Sequence, residues 1–290
     1  MASKWLGLGI EALWLLTVLF VPLAFLDPDY AKSEAVIGYL EVPKLALLRL
    51  LAGAMAILWL VQWGINGRLP IESIVELNAF VRRPWLSVSQ ITRCVQSDPR
   101  CWVILAVIFY LATTFISTAL SGSFAISMWS EVPGQDGYSA YNIAVYVLQF
   151  GVLATHLRTW PQLWRILAAI VLMGVVVGGY AVLQHNGHDF LNLGEETEGR
   201  TTAFMGNTIF VGAVLMMTIP ITITAAVVSL VSPPDLAISN LKRVGPWCTH
   251  SAVLALWVSA VSIQLLGLIF TLSRGTWVGT VTAVAVIWDW

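Results

Sequence analysis

Arg200, in "GRTTAFMGNTIFVG", and Arg274, in "TLSRGTWVG", are the residues best suited to chemistry in this chain. Each precedes a long apolar segment, and both fall on the side that the loop charges mark as external. Lys and Arg are normally kept cytoplasmic, so two cations that break this bias at helix starts make a candidate anion site. Asn207 is a good N-cap for the segment after Arg200. Gly206 before it permits close backbone approach or an unusual dihedral. Ser273 and Thr276 are candidate caps at the second site, with Arg274 and Gly275 between them. Lys44 and Arg49 stand at the start of another apolar span, where Arg49 would lie roughly 7–8 Å deeper along a helix. An anion gripped by several such groups at a membrane surface is best matched by a phosphate or diphosphate, whose oxygens Arg holds in bidentate fashion. A lipid-linked diphosphate would place its headgroup at this depth and its tail between helices.

Each cation also has a plainer reading. Arg200 could snorkel or pair with Glu195, Glu196 or Glu198. Arg274 could be a stray cation in a tight turn. Lys44 could be an interfacial anchor, and Arg49 could pair with Glu41.

The elements that must position these groups are membrane helices. The chain is 58% hydrophobic and only 11% charged, with 14 Trp. A soluble domain carries about 25% charged residues. The apolar runs approach or reach the roughly 20 residues that cross a bilayer core, and they lack the alternation of an outer-membrane strand. Apolar spans are expected near residues 6–26, 45–65, 102–120, 141–157, 163–183, 207–231, 252–272 and 276–290, an all-α bundle of about eight helices in one membrane domain. Lys4, the group Arg68 to Arg100, Arg158 with Arg165, and Lys242 with Arg243 fall on alternate loops, which puts the N-terminus in the cytoplasm. Spans two, four, six and eight then all begin at the external face. The first span reads as a retained helix rather than a cleaved signal, because its apolar run is long and no small-x-small site precedes Asp27. Pro220 predicts a kink in the sixth span. The chain ends inside an apolar run, so we expect it to be C-terminally incomplete.

Other candidates carry less. His185 and His188, with Asp189 adjacent, have an i, i+3 spacing open to a metal, but no third ligand is specified; an ordinary interfacial loop is the favoured reading, ahead of a general-base role. No metal is therefore assigned. Glu131 and Asp136 could bind sugar hydroxyls or act as a base, or stand in a solvated loop. The stretch "SIVELNAFVRRPWLSVSQI" mixes apolar and basic residues and could lie along the inner leaflet or be solvated. Cys94, Cys101 and Cys248 fall on the reducing side, so no disulfide is implied. A net charge of −1 offers no surface for nucleic acid.

Across residues 119–279 the chain resembles the O-antigen ligase and polymerase superfamily, membrane proteins that use polyprenyl-diphosphate-linked glycans. The resemblance rests on four stretches in order. "ALSGSFAISMWSEVPGQDGYSAYNIAVYVL" is similar to a Ser-rich helix end and turn, with Met128 and Ser130 in place of an aromatic and a Gly. "YAVLQHNGHD" is similar to a Tyr-Gly-x-x-Gln helix end. "GRTTAFMGNTIFVGAVLMMTIPI" resembles an Arg–Phe–Gly-Asn–Pro-Asn stretch, with Thr208 and Ile209 at the last two positions. "TLSRGTWVG" is similar to a Ser-Arg-Gly helix start. The resemblance implies a GT-C-like helical fold in a bacterial inner membrane, a glycosyltransferase without metal or nucleotide cofactor, and donor-diphosphate binding by Arg200 and Arg274. It implies a polyprenyl-diphosphate-linked glycan as donor and a glycan, lipid or protein hydroxyl as acceptor. The family's proposed catalytic His lies in a loop expected beyond Trp290, so no catalytic residue is assigned here. A transporter or flippase for a lipid-linked or anionic substrate shares the phosphate logic, but asks for inverted repeats and mid-membrane polar groups. A non-catalytic membrane scaffold is the third reading.

Overall fold

The computed structural model describes residues 2–27, 37–66, 99–130, 136–191, 193, 199–231 and 246–288. Their regular structure is helical. In chain order the helices are α1 (Ala2–Phe20), α2 (Val42–Asn66), α3 (Pro99–Ala119), α4 (Phe124–Trp129), α5 (Ala140–His156), α6 (Trp160–His185), α7 (Thr208–Val231), α8 (Pro246–Phe270) and α9 (Arg274–Trp288). A π-helical turn, Ile37–Glu41, leads into α2, and short 3-10 turns cover Asp136–Tyr138 and Ala203–Met205.

Among the described residues, six helical segments are long and apolar enough to cross a membrane: Ser3–Phe20, Gly38–Asn66, Trp102–Ala119, Trp160–His185, Thr208–Val231 and Ser251–Phe270. The chain is a multi-pass helical membrane protein. The two further expected spans, 141–157 and 276–290, are also helical where described, but α5 has 17 residues and α9 has 15. The first helix stops at Phe20 rather than at Leu26. Pro22 explains this, because the residue before a proline is pushed out of the α region. Helix α7 runs on through Pro220, and Thr224 Oγ1 donates to the Pro220 carbonyl at 2.9 Å.

The chain divides into two compact units, with the divisions falling inside α1, near the start of α2, and inside α6. The first comprises residues 1–17 and 45–163. Here α2 meets α5: His156 Nε2 and Gln62 Oε1 lie 2.7 Å apart, and Gly151 leaves room for the Trp59 ring. Ser139 caps α5 by accepting from Asn142 N at 3.4 Å. The start of α6 carries half of a capping box. Gln162 Oε1 accepts from Thr159 N at 3.1 Å and Arg158 N at 3.0 Å, while its Nε2 donates to buried Glu11 at 3.3 Å.

The second unit comprises residues 18–44 and 164–290. Its core joins Leu40, Val177, Ala181, Phe204, Leu215 and Ile219. Helices in lipid gain little from apolar burial against one another, so close backbone approach and polar contacts must hold them. Both are present. A Cβ on Gly267 would lie 2.8 Å from Gly178 Cα, so α6 and α8 touch backbone to backbone. Gln264 of α8 is fully buried against α7. It accepts from Thr218 Oγ1 at 3.1 Å and donates from Nε2 to Thr222 Oγ1 at 2.9 Å. Helices α7 and α9 pack through Gly212 against Thr276 and Met216 against Gly279. Both partners advance together along the chain, so these two helices are parallel and start at the same end of the bundle.

Candidate functional site

The end of the second unit where α7 and α9 begin is built from two turns, residues 199–207 and 271–273. Helix α8 ends at Phe270 with carbonyls that lack intrahelical donors. Thr201 N donates to Phe270 O at 3.3 Å, and Arg200 Nε donates to Thr271 O at 3.1 Å. A cation at a helix C-terminus is also favoured by the peptide dipoles. Arg200 is half-buried in this position, and Arg274 is exposed on the first residue of α9. Tertiary structure thus ties the loop carrying Arg200 to the turn carrying Arg274.

The two helix starts differ. Asn207 Oδ1 accepts from Ile209 N at 2.9 Å, capping α7. Ser273 and Thr276 do not cap α9 with their side chains. Ser273 O instead accepts from Trp277 N at 3.3 Å and from Thr276 Oγ1 at 2.8 Å. Among the described residues, no side chain accepts from the first N–H groups of α9, and the ground beside Gly275 is open. Parallel neighbours bring two positive dipole ends together, a repulsion that a bound anion relieves. The turns are conformationally demanding. Gly206 has φ 65°, Ala203 φ 39° and Leu272 φ 51°, and the last two are strained for residues with a Cβ. Buried Thr201 Oγ1 has no hydrogen-bond partner among the described residues.

The remaining predicted residues fall in different places. Lys44 donates through Nζ to the Phe204 carbonyl and lies 3.6 Å from Met205 Sδ, so it is engaged with the 3-10 turn that follows Arg200. Arg49 belongs to the first unit. Its Nε donates to buried Asn142 Oδ1 at 2.9 Å, and its guanidinium lies 4.9 Å from the Tyr141 ring centre. The described contacts of Arg49 are therefore with the start of α5. Ser130, where the family resemblance has Gly, takes φ 72° and ψ 158°, a conformation that suits Gly.

His185, His188 and Asp189 have separate partners. His185 stacks on Phe270 at 3.9 Å, His188 Nδ1 lies 3.0 Å from the Asn186 carbonyl, and Asp189 faces Tyr180 and Gln184. Among the described residues, no group of three His, Cys, Asp or Glu is placed to hold a metal. Glu131, Glu195, Glu196, Glu198, Cys94 and the stretch from Ser73 to Ile91 lie outside the described residues.

The sequence reading matched Tyr180 and Gln184 to a helix-end pattern and named Asp189 beside the histidines, but did not join the three. Tyr180 OH donates to Asp189 Oδ1, and Gln184 Nε2 donates to Asp189 Oδ2 at 3.1 Å. Gln184 Oε1 accepts from Thr202 N at 3.0 Å and Ala203 N at 2.8 Å. The available signal was the i, i+4 spacing of Tyr180 and Gln184, which puts both on one face of α6. Comparison with protein-family models, curated proteins and solved structures found no match to the chain.

Proposed function

We propose that this protein is a membrane glycosyltransferase that moves a glycan from a polyprenyl diphosphate to an acceptor hydroxyl at the external face of a bacterial inner membrane. The observation that carries the reading is the Arg200 Nε bond to Thr271 O, which ties the Arg200 loop to the turn of Arg274 beside the parallel starts of α7 and α9. In the reaction, the acceptor oxygen attacks the anomeric carbon, with inversion. The bond from that carbon to the diphosphate oxygen breaks, and negative charge grows on the departing diphosphate. Arg274, the Nη donors of Arg200 and the N–H groups at the start of α9 stabilise that charge. Each well-placed donor of this kind contributes about 3 kcal/mol to the transition state. The acceptor proton passes to a base that no residue of this chain is assigned to supply. The GT-C-like architecture and the count of about eight spans belong to this same proposal.

Binding of farnesyl diphosphate and farnesyl monophosphate to the protein in nanodiscs tests the reading. Preference for the diphosphate, lost in Arg274→Ala at unchanged folded yield, is the expected result. Equal binding of the two ligands, or an Arg274→Ala variant that binds as the wild type, removes the diphosphate site.

A further inference from the structure

The loop that carries Arg200 does not hold itself. Ala203 at φ 39° is a conformation that a residue with a Cβ leaves unless something fixes it. Thr202 and Ala203 are buried, so their N–H groups need acceptors. One side chain supplies both: Gln184 Oε1. Gln184 is itself 3% exposed, so its amide has no water to fall back on.

The orientation of that amide is dictated by its neighbours. Backbone N–H groups only donate, so the oxygen must face Thr202 and Ala203. An ionised carboxylate only accepts, so the nitrogen must face Asp189. Asp189 is held in turn. Its Oδ1 accepts from Tyr180 OH and from Leu193 N at 3.4 Å, and Tyr180 OH accepts from Leu191 N at 3.2 Å. Tyr180 also packs its ring 4.8 Å from that of Phe204, at the centre of the same turn.

We propose that Gln184 is the positioning residue for the anion-binding loop, with Asp189 setting which way its amide points, so that the pair presents Arg200 to the donor diphosphate. The inference rests on the diphosphate reading for what Arg200 grips, and on this hydrogen-bond chain for how the loop is set. Neither Gln184 nor Asp189 touches the reacting atoms in this scheme. They act through the backbone of residues 202 and 203.

An exchange of the two side-chain chemistries tests it. Gln184→Glu sets two carboxylates against each other, and Asp189→Asn breaks the chain if its amide turns NH2 toward Gln184 to suit Oδ1. The double variant Gln184→Glu with Asp189→Asn restores the bond between the two side chains with its direction reversed, keeps the bonds donated by Thr202 N, Ala203 N, Tyr180 OH and Leu193 N, and leaves the net charge unchanged. Two quantities are read on the full chain in nanodiscs: farnesyl diphosphate affinity and hydrogen exchange across residues 200–207. We expect each single variant to bind about tenfold or more weakly, since small misplacements of a gripping group carry losses of that size. Exchange at Thr202 and Ala203 should quicken in both, and the double variant should return both readings to those of the wild type. Single variants with wild-type exchange and affinity would overturn the proposal, as would a folded double variant that recovers neither. Should a single variant fail to fold, the double variant must still fold and protect the two amides, and its failure overturns the proposal. A wild type that binds no farnesyl diphosphate ends the diphosphate reading alone, and the exchange comparison then decides the role of Gln184 in setting the loop.

Discussion

Arg200 Nε donates to the Thr271 carbonyl at 3.1 Å, three residues before Arg274. One cation therefore has a structural bond to the turn that carries the other, and the two should respond differently to removal. Arg274→Ala deletes an exposed side chain and should leave thermal stability in detergent within about 0.5 kcal/mol of wild type. Arg200→Ala also deletes a partner of the α8 terminus and should cost about 1 kcal/mol more. Thermal unfolding of the two variants, measured beside farnesyl diphosphate binding, separates these roles. Equal melting temperatures would contradict the bond assigned to Arg200.

The backbone contact between α6 and α8 predicts a steep size limit at one glycine and none at another. Gly267→Ala places a methyl group against Gly178 Cα and O and should cost about 1–3 kcal/mol through overpacking. Gly53, inside α2, has open space where its Cβ would be, so Gly53→Ala should stabilise by about 0.5–1 kcal/mol. Chemical denaturation of each variant in micelles checks the opposite signs.

Gln264 sits at the polar contact between α7 and α8, yet its replacement should be mild. In Gln264→Leu, Thr222 Oγ1 keeps the Thr218 carbonyl at 2.9 Å and Thr218 Oγ1 keeps the Leu215 carbonyl at 3.3 Å. The expected cost is about 0.6 kcal/mol, the usual size of such bonds inside membrane proteins. A loss of several kcal/mol in the same unfolding assay would mean that this cluster holds the bundle together.

Arg49→Lys keeps the charge but loses the planar group over Tyr141 and the Nε bond to Asn142. About 1 kcal/mol of stability should be lost. Arg49→Lys melting with the wild type would show that charge alone matters at this position.

The helices were legible because bilayer thickness demands long apolar runs, and the start of α7 because Asn207 is a local cap that needs no tertiary partner, whereas the first helix was expected to reach Leu26 and stops at Phe20. That Arg200 and Arg274 each stand ahead of a long apolar segment was legible. The relation between them was not. Nothing in "GRTTAF" or "TLSRG" says that the first arginine bonds the turn before the second. Likewise, Ser273 looks like a cap but takes part through its carbonyl, and Arg49 looks like a companion of Lys44 but turns to Asn142.

Composition and periodicity by themselves determined a multi-pass helical membrane protein, because hydrophobic length and local capping act within one segment. The folded chain decided that Arg200 bonds the Thr271 carbonyl and that Gln184 bonds both Asp189 and the backbone of residues 202 and 203. Those are hydrogen bonds between distant segments of the chain, and their partners are chosen by which helices pack side by side. That choice is made here by the glycine contact between α6 and α8 and by the parallel contact of α7 with α9.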